Sequence, residues 1–241
     1  MKFKITTVAI LFAAFILSNS QASYSQNKSI LTLAEQYSQA LIKFQKQKGR
    51  ANLEGLLRKG NAVGEKLDEM ESLSESNFSR LEKKMKGFVI NRDETVFVKP
   101  DNVFFGKLAT KRGTPADVAF FNLSRRYKPE NVWSTFIEQQ TDYSGCTIYG
   151  KGIFTDLYAQ TKRFQRQYSF AYSGEIREMI DDLKSELTEN TCVCGDRNGA
   201  AKEFRLFIST FPKDKITPLV KKRLKEIENK KTNLRFACHS G

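Results

Sequence analysis

The chain has 241 residues, 28% of them charged, with a formal net charge of +13, four cysteines and a single histidine. That length can bury a sizeable core as one domain. The cationic balance favours anionic partners such as lipid head groups, wall polymers, nucleic acid or an acidic protein, although dispersal of the charges among acids also fits a role in solubility alone.

The N-terminus opens with Lys2 and Lys4, then an apolar run from Ile5 to Leu17, then Ser18, Asn19, Ser20, Gln21 and Ala22. A charged start, a short apolar middle and Ser20-x-Ala22 predict a cleavable signal peptide over 1–22. The run falls short of the ~20 residues of a spanning helix. Setting Lys2 and Lys4 aside leaves +11 on the mature part. With no cysteine near the cleavage site a lipoprotein anchor has no attachment point, and no later apolar stretch is long enough to cross a membrane. The expectation is an exported protein, periplasmic or extracellular.

Residues 23–28 read as a flexible start and 29–241 as a single mainly helical domain. Ile30, Leu33, Ala34, Tyr37, Leu41 and Phe44 recur at helical spacing and predict a helix over 29–47. Leu53, Leu56 and Leu57 form a short apolar cluster before Gly60. A second long helix is predicted from Asn61, with Val63, Leu67, Met70, Leu81 and Met85 as its buried stripe and Gly87 at its C-terminal end. Phe88–Ile90 and Val96–Val98, around Asn91-Arg92-Asp93-Glu94, predict a β-hairpin near 88–98, the only convincing strand signal.

Thr114-Pro115-Ala116-Asp117 is a helix start, with a capping Thr, Pro at the first helical position and an acid in the first turn. The helix it opens is expected to bury Val118, Phe121 and Leu123. A further helix is predicted from Pro129, with Val132, Trp133, Phe136 and Ile137 inward. Gly145, Gly150 and Gly152 mark a loop. Ile153, Leu157, Phe164 and Tyr168 define the next helix, and Ile176, Met179, Ile180, Leu183 and Leu187 another, capped by Ser173.

The C-terminal unit is an αα-hairpin. Ala200, Ala201, Phe204, Phe207, Ile208 and Phe211 line a helix over 197–211. Residues 212–215 turn, Thr217 caps, Pro218 starts, and Leu219, Val220, Leu224 and Ile227 line the returning helix. The fold class is therefore mainly α, with six to eight helices, one short β-hairpin and this closing helical hairpin. Ala200, Phe204 and Pro212 fall at the spacing of the small, aromatic and helix-ending positions of tetratricopeptide repeats. Residues 197–229 thus resemble a junction between two such repeats, as seen in bacterial envelope proteins. Phe207 departs from that pattern, and no second copy follows at a 34-residue offset.

An even number of cysteines in an exported chain argues for two disulfides among Cys146, Cys192, Cys194 and Cys238. Cys192 and Cys194 precede the hairpin and Cys238 follows it, so antiparallel helices bring one of the pair to Cys238. Cys194 is preferred for that bond, leaving Cys192 for Cys146, so that residues 192–241 form a disulfide-stapled unit. A metal site is disfavoured, because Cys-x-Cys lacks the usual spacing and the lone His239 is near the end. No pattern requires a cofactor. The glycines match neither phosphate-binding nor dinucleotide-binding spacing.

For chemistry, Cys238 beside His239 makes a poor thiol–imidazole site, since a disulfide consumes the nucleophile. Glu138 and Asp142, with Tyr143 and Ser144 before the glycine-rich loop, offer a carboxylate pair of the kind used by wall-cleaving glycosidases, Glu138 being the general acid. The cluster Lys162-Arg163-Phe164-Gln165-Arg166-Gln167-Tyr168 places its rings on the buried stripe and its arginines on the solvated face. Arg125, Arg126 and Tyr127 form a second basic–aromatic cluster. Buried rings and export argue against nucleic acid. The leading expectation is a non-catalytic exported protein binding a protein partner or an anionic envelope polymer. A glycosidase centred on Glu138 is the alternative.

Overall fold

The computed structural model describes residues 30–47, 49–70, 72–92, 97–130, 132–141 and 144–238. The expected signal peptide and flexible start, the hairpin turn at Asp93-Glu94, and Asp142, Tyr143 and His239 lie outside the described residues. The fold is mainly helical, with nine helices and two small antiparallel β-hairpins among the described residues. The chain divides into two compact units, Met1–Asp101 and Asn102–Gly241.

In the first unit, α1 (residues 30–46) buries Ile30, Ala34, Tyr37, Leu41 and Phe44, the stripe its periodicity announces. Helix α2 (Leu53–Asp68) departs from expectation by running straight through Gly60. Its start is set by Asn52, whose Oδ1 accepts the Gly55 N–H at 2.7 Å. Gly60 does not break the helix; it leaves room for Phe88, whose ring would lie 2.1 Å from a Cβ there. The polar stretch after Asp68 ends the helix, and a separate helix, α3 (Glu75–Lys84), follows. The single long helix expected from Asn61 is thus two, with the chain leaving helical geometry between Asp68 and Glu75. The expected hairpin forms as β1 (Phe88–Asn91) and β2 (Phe97–Pro100), with Ile90 opposite Val98. Tyr37 packs edge-on against Phe88 and donates to Lys86 O at 2.6 Å.

The second unit begins with α4 (Asn102–Arg112), a helix whose apolar residues are scattered and form no stripe. Helix α5 (Pro115–Tyr127) starts on the expected capping box. Asp117 N–H donates to Thr114 Oγ1 at 3.2 Å, and Thr114 N–H donates to Asp117 Oδ2 at 2.6 Å. It buries Phe120, Phe121, Leu123 and Tyr127, with Val118 half-buried.

The helix expected from Pro129 does not form. Residues 132–136 turn, and β3 (Ile137–Gln139) pairs with β4 (Gly145–Thr147). The apolar spacing of Val132, Trp133, Phe136 and Ile137 is compatible with either outcome. What decides is the partner: a Cβ on Gly145 would fall 2.5 Å from Ile137 Cγ2 and 2.9 Å from Glu138 O, so glycine permits this close ladder.

Helices α6 (Ile153–Gln167), α7 (Ser173–Thr188), α8 (Arg197–Thr210) and α9 (Thr217–Glu228) complete the unit. Ser173 is the first residue of α7 and not its cap; Tyr172 takes the cap position in a left-handed conformation, φ 51°. Thr217 likewise begins α9, and its hydroxyl donates to Phe211 O at 2.5 Å. The inner face of α9 is Val220, Arg223 and Ile227; Leu219, expected inside, is 53% exposed.

Both disulfides form, with the opposite choice at the Cys-x-Cys pair. Cys146 bonds Cys194 and Cys192 bonds Cys238, with Cα separations of 5.0 and 5.6 Å. Segment 191–194 lies between two others. Thr147 N–H donates to Cys192 O and Cys194 N–H to Thr147 O; on the other side Val193 N–H donates to Arg235 O and Cys238 N–H to Val193 O. Helix ends bring both cysteines near Cys238, and only this backbone register selects Cys192.

Candidate functional site

The directions of α6 to α9 follow from the side chains that meet between them. Thr155 of α6 meets Glu203 of α8, and Tyr158 meets Phe207 and Phe211, so residue numbers rise together and the two helices run parallel. Helices α7 and α9 return, with Arg223 of α9 donating to Glu186 O at the far end of α7. The α6–α7 loop, residues 168–172, and the α8–α9 turn, residues 211–216, therefore lie toward the same end. Tyr158 donates to Asp214 Oδ2 at 3.0 Å, which places the turn ten residues, or ~15 Å, before the loop along α6.

That end is cationic. Lys162, Arg163 and Arg166 occupy the last two turns of α6, and Lys213 and Lys215 the nearby turn. No acid occurs between Asp156 and Glu175. Asp214, between the two lysines, is held by Tyr158 and by the Ile216 N–H at 3.1 Å. Among the described residues, Arg163, Arg166, Lys213 and Lys215 are paired with no carboxylate, whereas Arg126, Lys184 and Arg205 are. Glu175 and Glu178 on the first turns of α7 bound the region on one side. Phe164 is buried and the arginines face solvent, as the periodicity predicts. Phe170, which no periodicity or motif singles out, is 92% exposed in the loop. Its one signal in the sequence is a wholly apolar ring in a turn whose other aromatic residues, Tyr168 and Tyr172, carry hydroxyls.

The cations of α9 are divided between surface and interior. Lys221, Lys222 and Lys225 are exposed on α9, but Arg223 is 5% exposed. Its guanidinium lies over the Phe204 ring, donates to Glu186 O at 3.4 Å and also bonds Asn190 O, closing the C-terminal end of α7. A cation in the last turn is favourable to the helix dipole.

At the opposite end Glu138 stands exposed on β3, across the ladder from Cys146. A separate pair of carboxylates lies on α7. Asp182 and Glu186, one helical turn apart, line a depression of ≈ 420 Å³ together with Trp133, Phe136 and Ile137. Tyr127 donates to Asp182 Oδ2 at 3.2 Å and Thr147 to Glu186 Oε2 at 2.6 Å. Burial raises the Glu186 carboxyl above its ordinary range; the Thr147 hydroxyl opposes this and Asp182 reinforces it. The i, i+4 spacing of these acids was visible in the sequence, but nothing there distinguished it from a solvated helix face.

A third acid is structural. Glu203, 1% exposed, accepts the N–H groups of Gly150 at 3.1 Å, Gly152 at 2.8 Å and Thr155 at 3.4 Å, and so caps α6 from another helix. Gly150 has φ 87°, and a Cβ there would lie 2.8 Å from Gly199 Cα, so the loop closes only with glycine. Among the described residues no group of three or more His, Cys, Asp or Glu side chains is arranged to hold a metal ion, and no helix is long and apolar enough to cross a membrane. Comparison with family models, with curated proteins and with solved structures finds no match.

Proposed function

We propose that this chain is a non-catalytic exported protein, periplasmic or extracellular, that binds an anionic envelope surface through the end of its second unit. The observation that carries this reading is a set of cations without carboxylate partners, Arg163 and Arg166 on the last two turns of α6 and Lys213 and Lys215 on the α8–α9 turn packed against the middle of that helix. Arg163 and Arg166, one helical turn apart, lie within a Debye length of each other, ~8 Å at physiological salt, and so act together on an anionic plane, to which Lys213 and Lys215 add further positive charge. The two disulfides support an oxidising compartment, as does the N-terminal Lys2–Ala22 pattern. The likeness of 197–229 to a tetratricopeptide hairpin favours a protein as partner. The unpaired cations, which need no shape-matched groove, favour the anionic surface over it.

The test is retention on isolated anionic envelope material as salt is raised. Binding should weaken steeply between about 50 and 300 mM salt, as the Debye length shortens, and should be lost when Arg163, Arg166, Lys213 and Lys215 are changed together to Gln. Salt-independent retention of that variant would remove the proposal.

The wall-glycosidase alternative on Glu138 has less support, since Glu138 stands exposed on β3 and does not line the depression that holds Asp182 and Glu186. Turbidity clearing of purified wall material that disappears in Glu138→Gln would restore it.

A further inference from the structure

We infer that Phe170 is a membrane wedge. Its ring enters the headgroup–acyl boundary of an anionic phospholipid bilayer while Arg163 and Arg166 hold the lipid phosphates. This rests on the anionic-surface reading above and narrows it to lipid.

Three observations lead there. The first is that Phe170 is presented by a fixed loop. Tyr168 N–H donates to Phe164 O at 2.8 Å and Ala171 N–H to Tyr168 O at 3.1 Å. Tyr172, fully buried, stacks on Phe120 at 3.7 Å and donates to Asp117 Oδ1 at 2.6 Å. A left-handed tyrosine is a backbone conformation that persists only where the surroundings over-determine it, and here the result is a phenyl ring held 92% in water.

The second is the ring's surroundings. Along the chain, Gln165, Arg166, Gln167, Ser169, Ser173 and Gly174 are exposed and polar or small, while Tyr168 and Ala171 are half-buried and Tyr172 is buried. A protein hot spot sits at the centre of a packed patch whose neighbours exclude water. Phe170, 92% exposed among exposed polar and small chain neighbours, lacks the large exposed apolar residues along the chain that would build such a collar.

The third is the combination of ring and cations. A soluble polyanion rewards the arginines but leaves the ring in water. A bilayer rewards both: the phosphates meet Arg163 and Arg166, and the apolar phase lies just beneath them. Membrane attachment built from one modest apolar insertion plus clustered cations is the two-signal arrangement that gives stable but reversible binding.

The test uses the purified chain in its exported form with vesicles of phosphatidylcholine, with and without phosphatidylglycerol. Phe170→Trp places a reporter at the tip, with the unsubstituted protein and its lone Trp133 as control. Emission of Phe170→Trp should shift to the blue on anionic vesicles and be quenched by lipids brominated on the acyl chains, and the control should not respond. Phe170→Ser should lower partitioning into anionic vesicles by roughly tenfold or more, as loss of a buried aromatic implies, with an unchanged far-ultraviolet spectrum. If Phe170→Trp stays open to aqueous iodide and is untouched by brominated acyl chains, or if Phe170→Ser partitions like the parent, the wedge is overturned while salt-sensitive binding keeps the charge reading. If the parent chain ignores anionic vesicles, the wedge falls; retention on lipid-free envelope polymer then separates this from failure of the charge reading.

Discussion

Tyr172 donates its hydroxyl to Asp117 Oδ1 at 2.6 Å, across 55 residues of sequence, and joins the α6–α7 loop to the capping box of α5. The other oxygen of the same carboxylate accepts Thr114 N–H at 2.6 Å and the Thr114 hydroxyl at 2.9 Å. One buried acid thus starts a helix locally and fixes a distant loop. Tyr172→Phe keeps the stack on Phe120 and removes only the donor. The expected loss is ~1.5–3 kcal/mol, the range for a hydrogen bond to a charged group, measured by denaturant unfolding. An unchanged midpoint would mean that the stacking alone holds the loop.

Glu203 is expected to be among the costliest buried polar positions to truncate. Glu203→Ala leaves the Gly150, Gly152 and Thr155 N–H groups without their acceptor in a buried setting, and each such group costs ~1–3 kcal/mol. Thermal unfolding should show a loss of at least ~3 kcal/mol on that basis. Glu203→Gln, with one acceptor oxygen in place of two, should fall between Ala and the parent.

Peptide mapping without reduction should recover Cys146 linked to Cys194 and Cys192 linked to Cys238. Each bridge closes a loop of just under 50 residues, for which the chain-entropy account gives about 4 kcal/mol. The double variant Cys192→Ser, Cys238→Ser should lose stability on that scale and render residues 231–238 susceptible to proteases. Recovery of a Cys194–Cys238 peptide would contradict the register described above.

Glu186 makes stability depend on pH in a stated direction. Its carboxyl is raised above the ordinary 4.5 by burial, first of all, so the folded chain holds that proton more tightly than the unfolded one. The contribution is complete below pH 4.5 and is lost as pH climbs through the folded value. Relative to the parent, Glu186→Gln should therefore gain stability as pH rises from 4.5 toward neutrality. Parallel pH profiles of the two proteins would show that the carboxyl is not destabilising when charged.

Ser124 offers a gain. Among the described residues its Oγ is a buried side-chain oxygen with no hydrogen-bond partner. Ser124→Ala removes an uncompensated desolvation and should raise unfolding stability by ~1 kcal/mol. A decrease in chemical denaturation would show that the hydroxyl contributes packing that the alanine cannot replace.

Much of the helical content is legible in the sequence because helix formation is local. The stripes of α1, α6 and α7, the Thr114 capping box and the Pro212 turn each declare themselves within a dozen residues. Expectation and structure part where a distant partner decides. Gly60 looks like a break but makes room for Phe88. The segment from Pro129 carries helical spacing yet forms a strand, because β4 is tethered beside it by Cys146. Helix α4 goes unannounced because its apolar residues form no stripe.

The candidate site divides in the same way. Composition and the order of residues determined by themselves that the chain is cationic, mainly helical and supplied with four cysteines able to form two bridges. Tertiary structure alone decided that Arg223 is buried while its neighbouring lysines face water, and that Glu203 caps a helix 48 residues away. It alone decided that Cys192 and not Cys194 reaches Cys238, and that Phe170, in the loop that follows α6, stands in solvent. The reason is physical. Periodicity and caps act over a few residues and are written in neighbouring side chains, whereas the fate of one charge, one thiol or one ring depends on what the returning chain places against it.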